Sequence, residues 1–381
     1  MGMADWMVFE RRRLWARHRA GRVSRRGLLR GAAALGIGAA ATRFSLGTAR
    51  AAEVEDQLNM MGWADYISPE NISAWESANN SKLVYDSYAS NDEMYSKLQL
   101  AGGNSGYDLG MNTDFMIALL IKSGLISKYD KSLVTNAANV RPEIANPDFD
   151  PGNEYTLPKS WGSEGFIYDK SVITREMTTW ADFLAAIREE ASGRVSLLDD
   201  PLAIAPIFWS KGVSWNTTDE AAIKDADAAV EELGKHIKTF NSYPVPDVAA
   251  GTVVLAQIWN GNARQSIDQS GNENLVFVYP GPISEAWLDS YHLPVGGTHL
   301  KAAHSWVNFV LDPQVAAQEI TYTGFLSPVT GAESHLDPKV ASDPLIFPPA
   351  EVMKRNERTE RNETYDRRIQ ILTKFKAAAA L

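Results

Sequence analysis

The sequence predicts an α/β fold, because strand and helix signals alternate along the chain from residue 57 to about residue 290. Short apolar runs such as Lys82–Tyr88 are typical of strands, whereas Phe115–Lys122 has helical apolar spacing and ends before Gly124. This alternation is typical of βαβ units and predicts mostly parallel sheets. With 381 residues, 45% of them hydrophobic and 22% charged, the chain is long enough for two domains of ordinary globular composition.

Each predicted element begins or ends at a local signal. Asn91 is expected to cap one helix and the pair Thr178–Thr179 another. Residues 146–158 are rich in Pro and Gly without periodicity, which predicts a loop. The expected strands lie at 58–62, 82–88, 107–111, 161–168, 194–198, 253–258 and 274–278. The expected helices lie at 91–100, 115–122, 183–187, 219–240, 304–311 and 313–322, with a last, charged one from about residue 350.

Residues 1–51 have the pattern of an export signal. An Arg-rich segment leads into the pair Arg25–Arg26, which stands before Gly-Leu-Leu. A weakly apolar run at 31–41 and an A-x-A motif at 49–51 follow. The paired arginines resemble a twin-arginine signal, which implies export of a folded protein to the bacterial periplasm or the outer face of the membrane. The apolar run is too short to span a bilayer, and a basic nucleic-acid arm or an anchored helix is the alternative.

Removal of this segment makes the chain strongly acidic. Taking its 11 Arg and 2 acids from the chain's 37 basic and 47 acidic residues leaves 26 and 45, a net charge of about −19. Such a surface argues against nucleic acid as a partner and favours cationic ones, although acidic residues also serve solubility.

Aromatic and acidic residues recur where the predicted strands end. In the first such stretch, Gly62–Tyr66, two rings flank one carboxylate, a combination that suits a cation. Because strand ends of an open α/β sheet face one crevice, we expect these groups to meet there. Each Trp taken alone fits a core position equally well, and Asp65 fits a helix cap. The residues concerned are Trp63, Asp65, Tyr66, Asp199, Asp200, Trp259, Trp287 and Asp289.

Other chemistries lack their sequence signatures. There is no cysteine, hence no disulfide framework and no thiolate site. Patterns for phosphate binding, zinc hydrolases and serine nucleophiles are absent after residue 51, so we expect no cofactor, no metal and no catalytic residue. The adjacent acids Asp199 and Asp200 fit a glycosidase formally, but neighbouring acids at a strand end usually diverge.

From about Leu58 to the C-terminal helix, the chain resembles the spermidine/putrescine-binding proteins of bacterial polyamine ABC transporters. Seven blocks in order carry this resemblance: Trp63–Pro69, Tyr88–Leu98, Gly106–Leu109, Leu157–Gly162, Ile258–Gly261, Trp287–Ser290 and Asn308–Pro313.

The resemblance implies a two-lobed α/β protein, the type II periplasmic-binding-protein fold, with a ligand cleft between lobes that close by hinge motion. Lobe 1 is expected at 52–162 and 287–335, and lobe 2 at 163–286 and 336–381. The implied function is that of a non-enzymatic periplasmic component of an ABC importer. Its implied partners are a small cationic ligand, such as putrescine or spermidine, and the permease subunits, which are its only contact with the membrane.

The resemblance also implies a binding site in which rings hold the aliphatic stem of a polyamine and carboxylates bind its ammonium ends. Carried over by position, the site comprises Trp63, Asp65, Tyr66, Thr113, Phe115, Asp200, Trp259, Trp287, Asp289 and Phe325.

Three positions depart from the family pattern. Ala203 stands where the family has an acid three residues after Asp200, Glu164 replaces a small residue, and Thr359 falls near an expected polar position. We hypothesise that Glu164 partly replaces the lost acid from the crossing strand; the alternative is that it points to solvent. The identity of the cation is open, and an amino-acid derivative with one cationic end is also an option.

A carbohydrate-binding or glycoside-hydrolysing protein is the main alternative, because 11 Trp and surface acids also suit sugar stacking and hydrolysis. Iron binding through clustered tyrosines fits less well with strand ends rich in Trp.

Overall fold

The computed structural model describes residues 54–380. The predicted signal at 1–51 lies outside this range. Within the described residues, no helix is both long enough and apolar enough to cross a membrane.

The described chain alternates strands with helices, as predicted. The strands are β1 (Gln57–Trp63), β2 (Lys82–Tyr88), β3 (Leu109–Thr113), β4 (Ile126–Ser127), β5 (Thr156–Asp169), β6 (Val195–Leu197), β7 (Ile237–Phe240), β8 (Leu255–Trp259), β9 (Leu275–Val278) and β10 (Ala286–Pro294). The helices are α1 (Pro69–Asn79), α2 (Asn91–Ala101), α3 (Asp114–Lys122), α4 (Trp180–Glu189), α5 (Ala205–Trp209), α6 (Glu220–Gly234), α7 (Val245–Ala249), α8 (Asn260–Ser270), α9 (Leu300–Val310), α10 (Pro313–Thr323), α11 (Pro338–Ala341), α12 (Ala350–Arg355) and α13 (Tyr365–Ala379).

The strands form one curled sheet in the order β2-β1-β3-β10-β5-β8-β6-β7, with β4 on β10 and β9 on β5. The expectation of mostly parallel sheets is wrong. Parallel pairs occur within β1–β3 and within β6–β8, where helices connect successive strands. Every pair made by β5 and β10 is antiparallel: β10 with β3, β4 and β5, and β5 with β8 and β9.

Strand β5 joins two halves of the sheet, which are the cores of the two lobes. Its first part, Thr156–Ser163, pairs with β10, and its second part, Glu164–Asp169, pairs with β8 and β9. We call the half that contains β1–β4 and β10 the first lobe and the half that contains β6–β9 the second lobe. The strand predicted at 161–168 is confirmed, and it starts earlier than expected, at Thr156.

Three segments meet where the chain passes between the lobes, and we call them the crossing segments: 163–164, 284–286 and 356–359. The backbone N–H of Glu164 donates to the carbonyl of Glu285 (3.1 Å), and the N–H of Ala286 donates to the carbonyl of Glu357 (2.8 Å). The N–H of Glu357 in turn donates to the carbonyl of Ser284 (2.9 Å). These bonds register the three segments against one another.

Alternate residues of each lobe's strands enter opposite cores. Met60 packs with the helices α9 and α10, while Met61 packs with α2 and α3. In the second lobe, Phe166 joins a core that includes α4 and α13, while Ile167 joins the core under α8. This follows from the two-residue period of a strand whose two faces are both covered.

Two predicted helices are interrupted by strand pairing. The helix expected at 219–240 ends at Gly234, because Ile237–Phe240 pairs in parallel with β6 instead. The predicted C-terminal helix is two helices, α12 and α13. Between them the chain bonds to the segment at 284–286, which takes up its backbone hydrogen-bonding groups.

The predicted helix cap at Asn91 is also wrong. Ser90 caps α2, its hydroxyl accepting from the N–H of Glu93 (3.2 Å). The amide of Asn91 instead donates to the hydroxyl of Thr113 (3.0 Å), at the end of β3. In contrast, the predicted threonine cap is confirmed at Thr179, where it forms a full capping box with Asp182.

The segment at 336–347 packs on the side opposite to its predicted lobe. Ile346 is buried in the core of the first lobe, where Leu336, Val340 and Phe347 also pack. The lobe boundaries implied by the resemblance stay a prediction.

We expect Gly162→Ala to lower the free energy of unfolding by about 1–3 kcal/mol, because the added methyl group overpacks the crossing. A Cβ at this position would lie 2.6 Å from Oδ1 of Asn260 and 2.7 Å from Cζ2 of Trp287. Urea denaturation measures the change. Gly281→Ala is the matched control, since its Cβ would meet only the Arg355 guanidinium at 3.6 Å. Equal stability of the two variants would contradict the packing described here.

Candidate functional site

A cavity of about 380 Å³ lies between the two lobes. The first lobe lines it with the ends of β1, β2 and β3 and with β10, and the second lobe lines it with residues that follow β6, β7 and β8. We call it the inter-lobe cavity. The structure places nine of the eleven predicted site residues on its wall: Trp63, Tyr66, Thr113, Phe115, Asp200, Trp259, Trp287, Asp289 and Phe325.

The aromatic part of the wall is an edge-to-face array. The ring of Phe325 is T-shaped against both Tyr66 (centroids 5.5 Å apart) and Trp287 (5.0 Å). Trp63 packs on Tyr88 at 4.5 Å with a tilt of 57°. Such contacts hold the rings in place and leave ring surface facing the cavity, where it can contact methylene groups and attract cations.

Asp289, on β10, is buried, and both of its carboxylate oxygens are already hydrogen-bonded. Tyr66 donates to one oxygen (2.9 Å) and Thr113 to the other (2.8 Å). Burial raises the pKa of Asp289 to about 6, while the hydrogen bonds from Thr113 and Tyr66 and the charge of Lys159 oppose this rise. The carboxylate is therefore held in one orientation, and its burial makes the charged form less favourable than it is for an Asp in water.

Lys159 stands behind this end of the cavity. Its ammonium group lies 3.8 Å from the centroid of the Tyr66 ring and 3.6 Å from the carboxylate of Glu319. Burial lowers the pKa of Lys159, and the nearby charges of Glu319 and Asp289 counteract this effect. Lys159 does not line the cavity, and it contacts the ring of Tyr66, which does.

Two further carboxylates, Asp200 and Glu285, line the cavity from the second lobe and the crossing segments. Burial raises the pKa of Asp200 to about 7, partly offset by a hydrogen bond from the N–H of Leu202. Burial also raises the pKa of Glu285, to which the charges of neighbouring acids add. The hydroxyl of Thr359 donates to Glu285 Oε1 at 2.7 Å. The cavity thus has buried acids on both lobes.

The structure places the predicted site residue Asp65 outside the cavity wall. Its two carboxylate oxygens accept from the hydroxyls of Tyr243 (2.5 Å) and Tyr322 (2.8 Å). Tyr243 follows β7 in the second lobe, whereas Asp65 follows β1 in the first. The side chain therefore joins the two lobes at the rim of the cavity, a geometry that local sequence could not reveal.

Glu164 is also absent from the cavity wall, and it does not point to solvent either. It is fully buried (0% exposed), and its Oε1 accepts from the amide of Gln257 at 2.6 Å. Its Oε2 has no hydrogen-bond partner among residues 54–380. Burial raises the pKa of Glu164 well above the usual range, and the charge of Glu285 raises it further. The hypothesis that Glu164 takes the place of the acid missing at Ala203 does not fit this position.

Sequence reasoning did not single out several residues of the wall. They are Ser87, Tyr88, Ala89, Asn91, Glu93, Leu202, Asn241, Ser242, Tyr243, Asn262 and Glu285. Of these, Glu285 had a usable signal, because it stands two residues before Trp287 and four before Asp289, the spacing of one face of an extended chain. The others lie at the end of β2, on α2 and α8, and in the segments that follow β2, β6 and β7, so their approach to the cavity depends on how these elements pack together.

The comparisons with known proteins agree with this architecture. A family model described as bacterial extracellular solute-binding protein matches residues 71–348. The spermidine/putrescine-binding periplasmic protein of Escherichia coli (strain K12) is 32% identical over 346 residues, which cover 90% of this chain and 92% of that protein. The spermidine/putrescine-binding periplasmic protein 1 of Haemophilus influenzae is 28% identical and covers 81% and 86%.

Among solved structures, the spermidine/putrescine ABC transporter substrate-binding protein PotD of Streptococcus pneumoniae superposes with a TM-score of 0.69 at 25% identity, covering 85% of this chain and 100% of that chain. The fold and the inter-lobe cavity define a two-lobed binding protein, and its relatives include the substrate-binding protein of an ABC transporter. The chain belongs to the family of bacterial extracellular solute-binding proteins.

In the ligand-free protein, we expect Asp200→Asn to stabilise the fold increasingly as the pH rises. Burial raises the pKa of Asp200 to about 7, whereas an Asp in an unfolded chain has a pKa of about 3.9. The folded protein therefore keeps a proton that the unfolded chain loses, and the resulting stability is complete below about pH 4 and lost by about pH 7. The variant, which needs no proton, should gain on the order of 2 kcal/mol relative to wild type between about pH 5 and pH 8.

Urea denaturation at both pH values measures this difference. Asp219→Asn is the control, because Asp219 caps α6 at an exposed position where asparagine caps equally well. A gain for Asp200→Asn that is the same at both pH values would contradict the burial described for its carboxylate.

Proposed function

We propose that this protein is the periplasmic binding component of an ABC importer and that its ligand is a polyamine such as putrescine or spermidine. One observation carries the proposal. The inter-lobe cavity combines a ring-lined wall with the buried carboxylates Asp200, Glu285 and Asp289, and no Lys or Arg is among the described residues that line it. The names of the relatives support the same ligand class.

The chemistry of a polyamine matches this wall. Its methylene groups lose contact with water against aromatic rings, and each desolvated cation–π contact contributes about 2 kcal/mol. Its ammonium groups provide the positively charged partners that the buried carboxylates lack. Because a buried carboxylate without a cation is costly, an empty closed cavity is disfavoured and a cation favours closure.

Contacts at the rim support closure of the lobes over the ligand. Arg361, which follows the crossing segments, pairs with Asp92 on α2 of the first lobe at 2.7 Å. Tyr243 and Asp65 make the corresponding contact described above. These exposed or half-buried polar contacts are separable in water, so hinge motion about the crossing segments can open the cavity.

Delivery to the periplasm and transfer to a permease complete the proposal. The pair Arg25–Arg26 and the A-x-A motif at 49–51 support export by the twin-arginine route. In this proposal, the protein transfers its bound ligand to the permease subunits of the ABC importer.

We expect putrescine or spermidine to raise the melting temperature of the mature protein, since a ligand that binds only the folded state stabilises it. The panel also contains basic amino acids, betaines and oligosaccharides. Asp289→Asn, which removes the charge and keeps the shape, is expected to weaken amine binding by about tenfold or more in calorimetric titrations. Stabilisation by sugars alone, with release of reducing ends, would favour the carbohydrate alternative instead.

We expect replacement of Arg25–Arg26 by two lysines to keep the protein in the cytoplasm, because the export machinery recognises the arginine pair. Fractionation of cells that express the full chain, followed by immunoblotting, measures the distribution. Replacement of Arg11–Arg12 by lysines is the matched control. Equal export of both variants would argue against the twin-arginine route.

A further inference from the structure

An acid, a ring and a second acid follow one another on one face of the β10 segment. Glu285, Trp287 and Asp289 all line the inter-lobe cavity, whereas Ala286 and Leu288 between them do not. This is the two-residue period of an extended chain. Residues four apart on such a segment lie ~13 Å apart along it, so the indole stands between two separated carboxylates.

The two carboxylates differ in how their oxygens are satisfied. Both oxygens of Asp289 accept hydrogen bonds, from Tyr66 and Thr113. Glu285 is 3% exposed, and only its Oε1 has a donor, the hydroxyl of Thr359. Among residues 54–380, no side chain or backbone group donates to Glu285 Oε2.

Asp200 repeats this shortage of donors on the second lobe. It is 6% exposed and lines the same cavity. One of its oxygens accepts from the N–H of Leu202 at 3.0 Å. Its other oxygen has no hydrogen-bond donor in the described part of the chain. Both residues line the cavity, so a ligand group that carries several N–H bonds can donate to the two oxygens that the protein leaves without a donor.

Three residues after Asp200, where the family resemblance predicts an acid, this chain has Ala203, which is buried in the core of the second lobe. The position therefore offers no charge to a ligand. Glu285 restores an acid beside Asp200 from a different element, the crossing segment at 284–286, where the backbone is fixed by its bonds to Glu164 and Glu357. A carboxylate on this segment therefore has the same position whether the ligand first contacts the first lobe or the second.

We propose that Glu285, together with Asp200, binds one primary ammonium group of the ligand, and that Asp289 binds the other across Trp287. The ligand class is a linear alkane with a primary ammonium at each end. This assignment rests on the proposed function and makes it more specific, because Glu285 is a specificity-determining residue that replaces the acid missing at Ala203.

The unmet acceptors also exclude a related class of cation. A quaternary ammonium carries the same charge but has no N–H bond, so it would leave the free oxygens of Glu285 and Asp200 without donors. A diamine with both ends trimethylated should therefore bind at least tenfold more weakly than putrescine.

Calorimetric titration of putrescine and spermidine into wild type and Glu285→Gln tests the assignment. Glutamine keeps the shape of the side chain and removes its charge, and we expect binding to weaken at least tenfold. Glu176→Gln, at an exposed position away from the cavity, removes the same charge and should bind like wild type. Circular dichroism and thermal melting establish that each variant is folded.

Glu285→Asp provides a second readout that a purely structural role would not change. The shorter side chain withdraws the carboxylate by one methylene, so the ratio of cadaverine to putrescine affinity should rise by several-fold relative to wild type. This ratio is informative even if Glu285→Gln fails to fold.

The outcomes separate the two proposals. If wild type binds neither putrescine nor spermidine, the proposed function fails. If wild type binds both and Asp289→Asn weakens binding, but Glu285→Gln binds like wild type or Glu285→Asp leaves the chain-length preference unchanged, the function stands and the role of Glu285 is wrong.

Discussion

The rest of the site depends on one constraint: carboxylates are buried around a cavity to whose wall residues 54–380 contribute no Lys or Arg. Asp200, Glu285 and Asp289 all lie at most 6% exposed. Keeping such groups ionised out of water is unfavourable, and their raised pKa values express that cost. A ligand cation relieves the cost, so binding, ionisation of the acids and closure of the lobes are parts of one equilibrium.

The crossing of the chain between the lobes makes this arrangement possible. Strand β5 contributes to both halves of the sheet, and three segments are registered by backbone hydrogen bonds at the crossing. Gly162 leaves room for the ring of Trp287 next to the crossing segments, and Glu285 lies on one of these segments. If the lobes close by the proposed hinge motion, a wall residue on the crossing segments moves least, which suits contact with the ligand in both open and closed forms.

The two ends of the cavity are supported differently. At Asp289, donors from Tyr66 and Thr113 and the ammonium of Lys159 behind the ring moderate the carboxylate's charge. At Asp200 and Glu285 fewer donors are present, and neighbouring acids add to the negative potential. Asp65, at the rim, bonds across the opening to Tyr243. Asp65 belongs to the stretch Gly62–Tyr66, whose composition suits a cationic ligand, but its carboxylate links the two lobes instead.

The sequence by itself determined the α/β class, the strand Lys82–Tyr88 and the threonine cap at Thr179, because local periodicity and side-chain capping are properties of neighbouring residues. Together with the family resemblance, it also predicted nine residues of the cavity wall. Only the tertiary structure decided the antiparallel runs of β5 and β10, the strand at Ile237–Phe240 and the positions of Asp65, Glu164 and Glu285. The direction of a strand depends on the strands beside it. Whether a carboxylate faces the cavity depends on partners more than 70 residues away, such as Thr359 for Glu285 and Gln257 for Glu164. No local pattern encodes those partners.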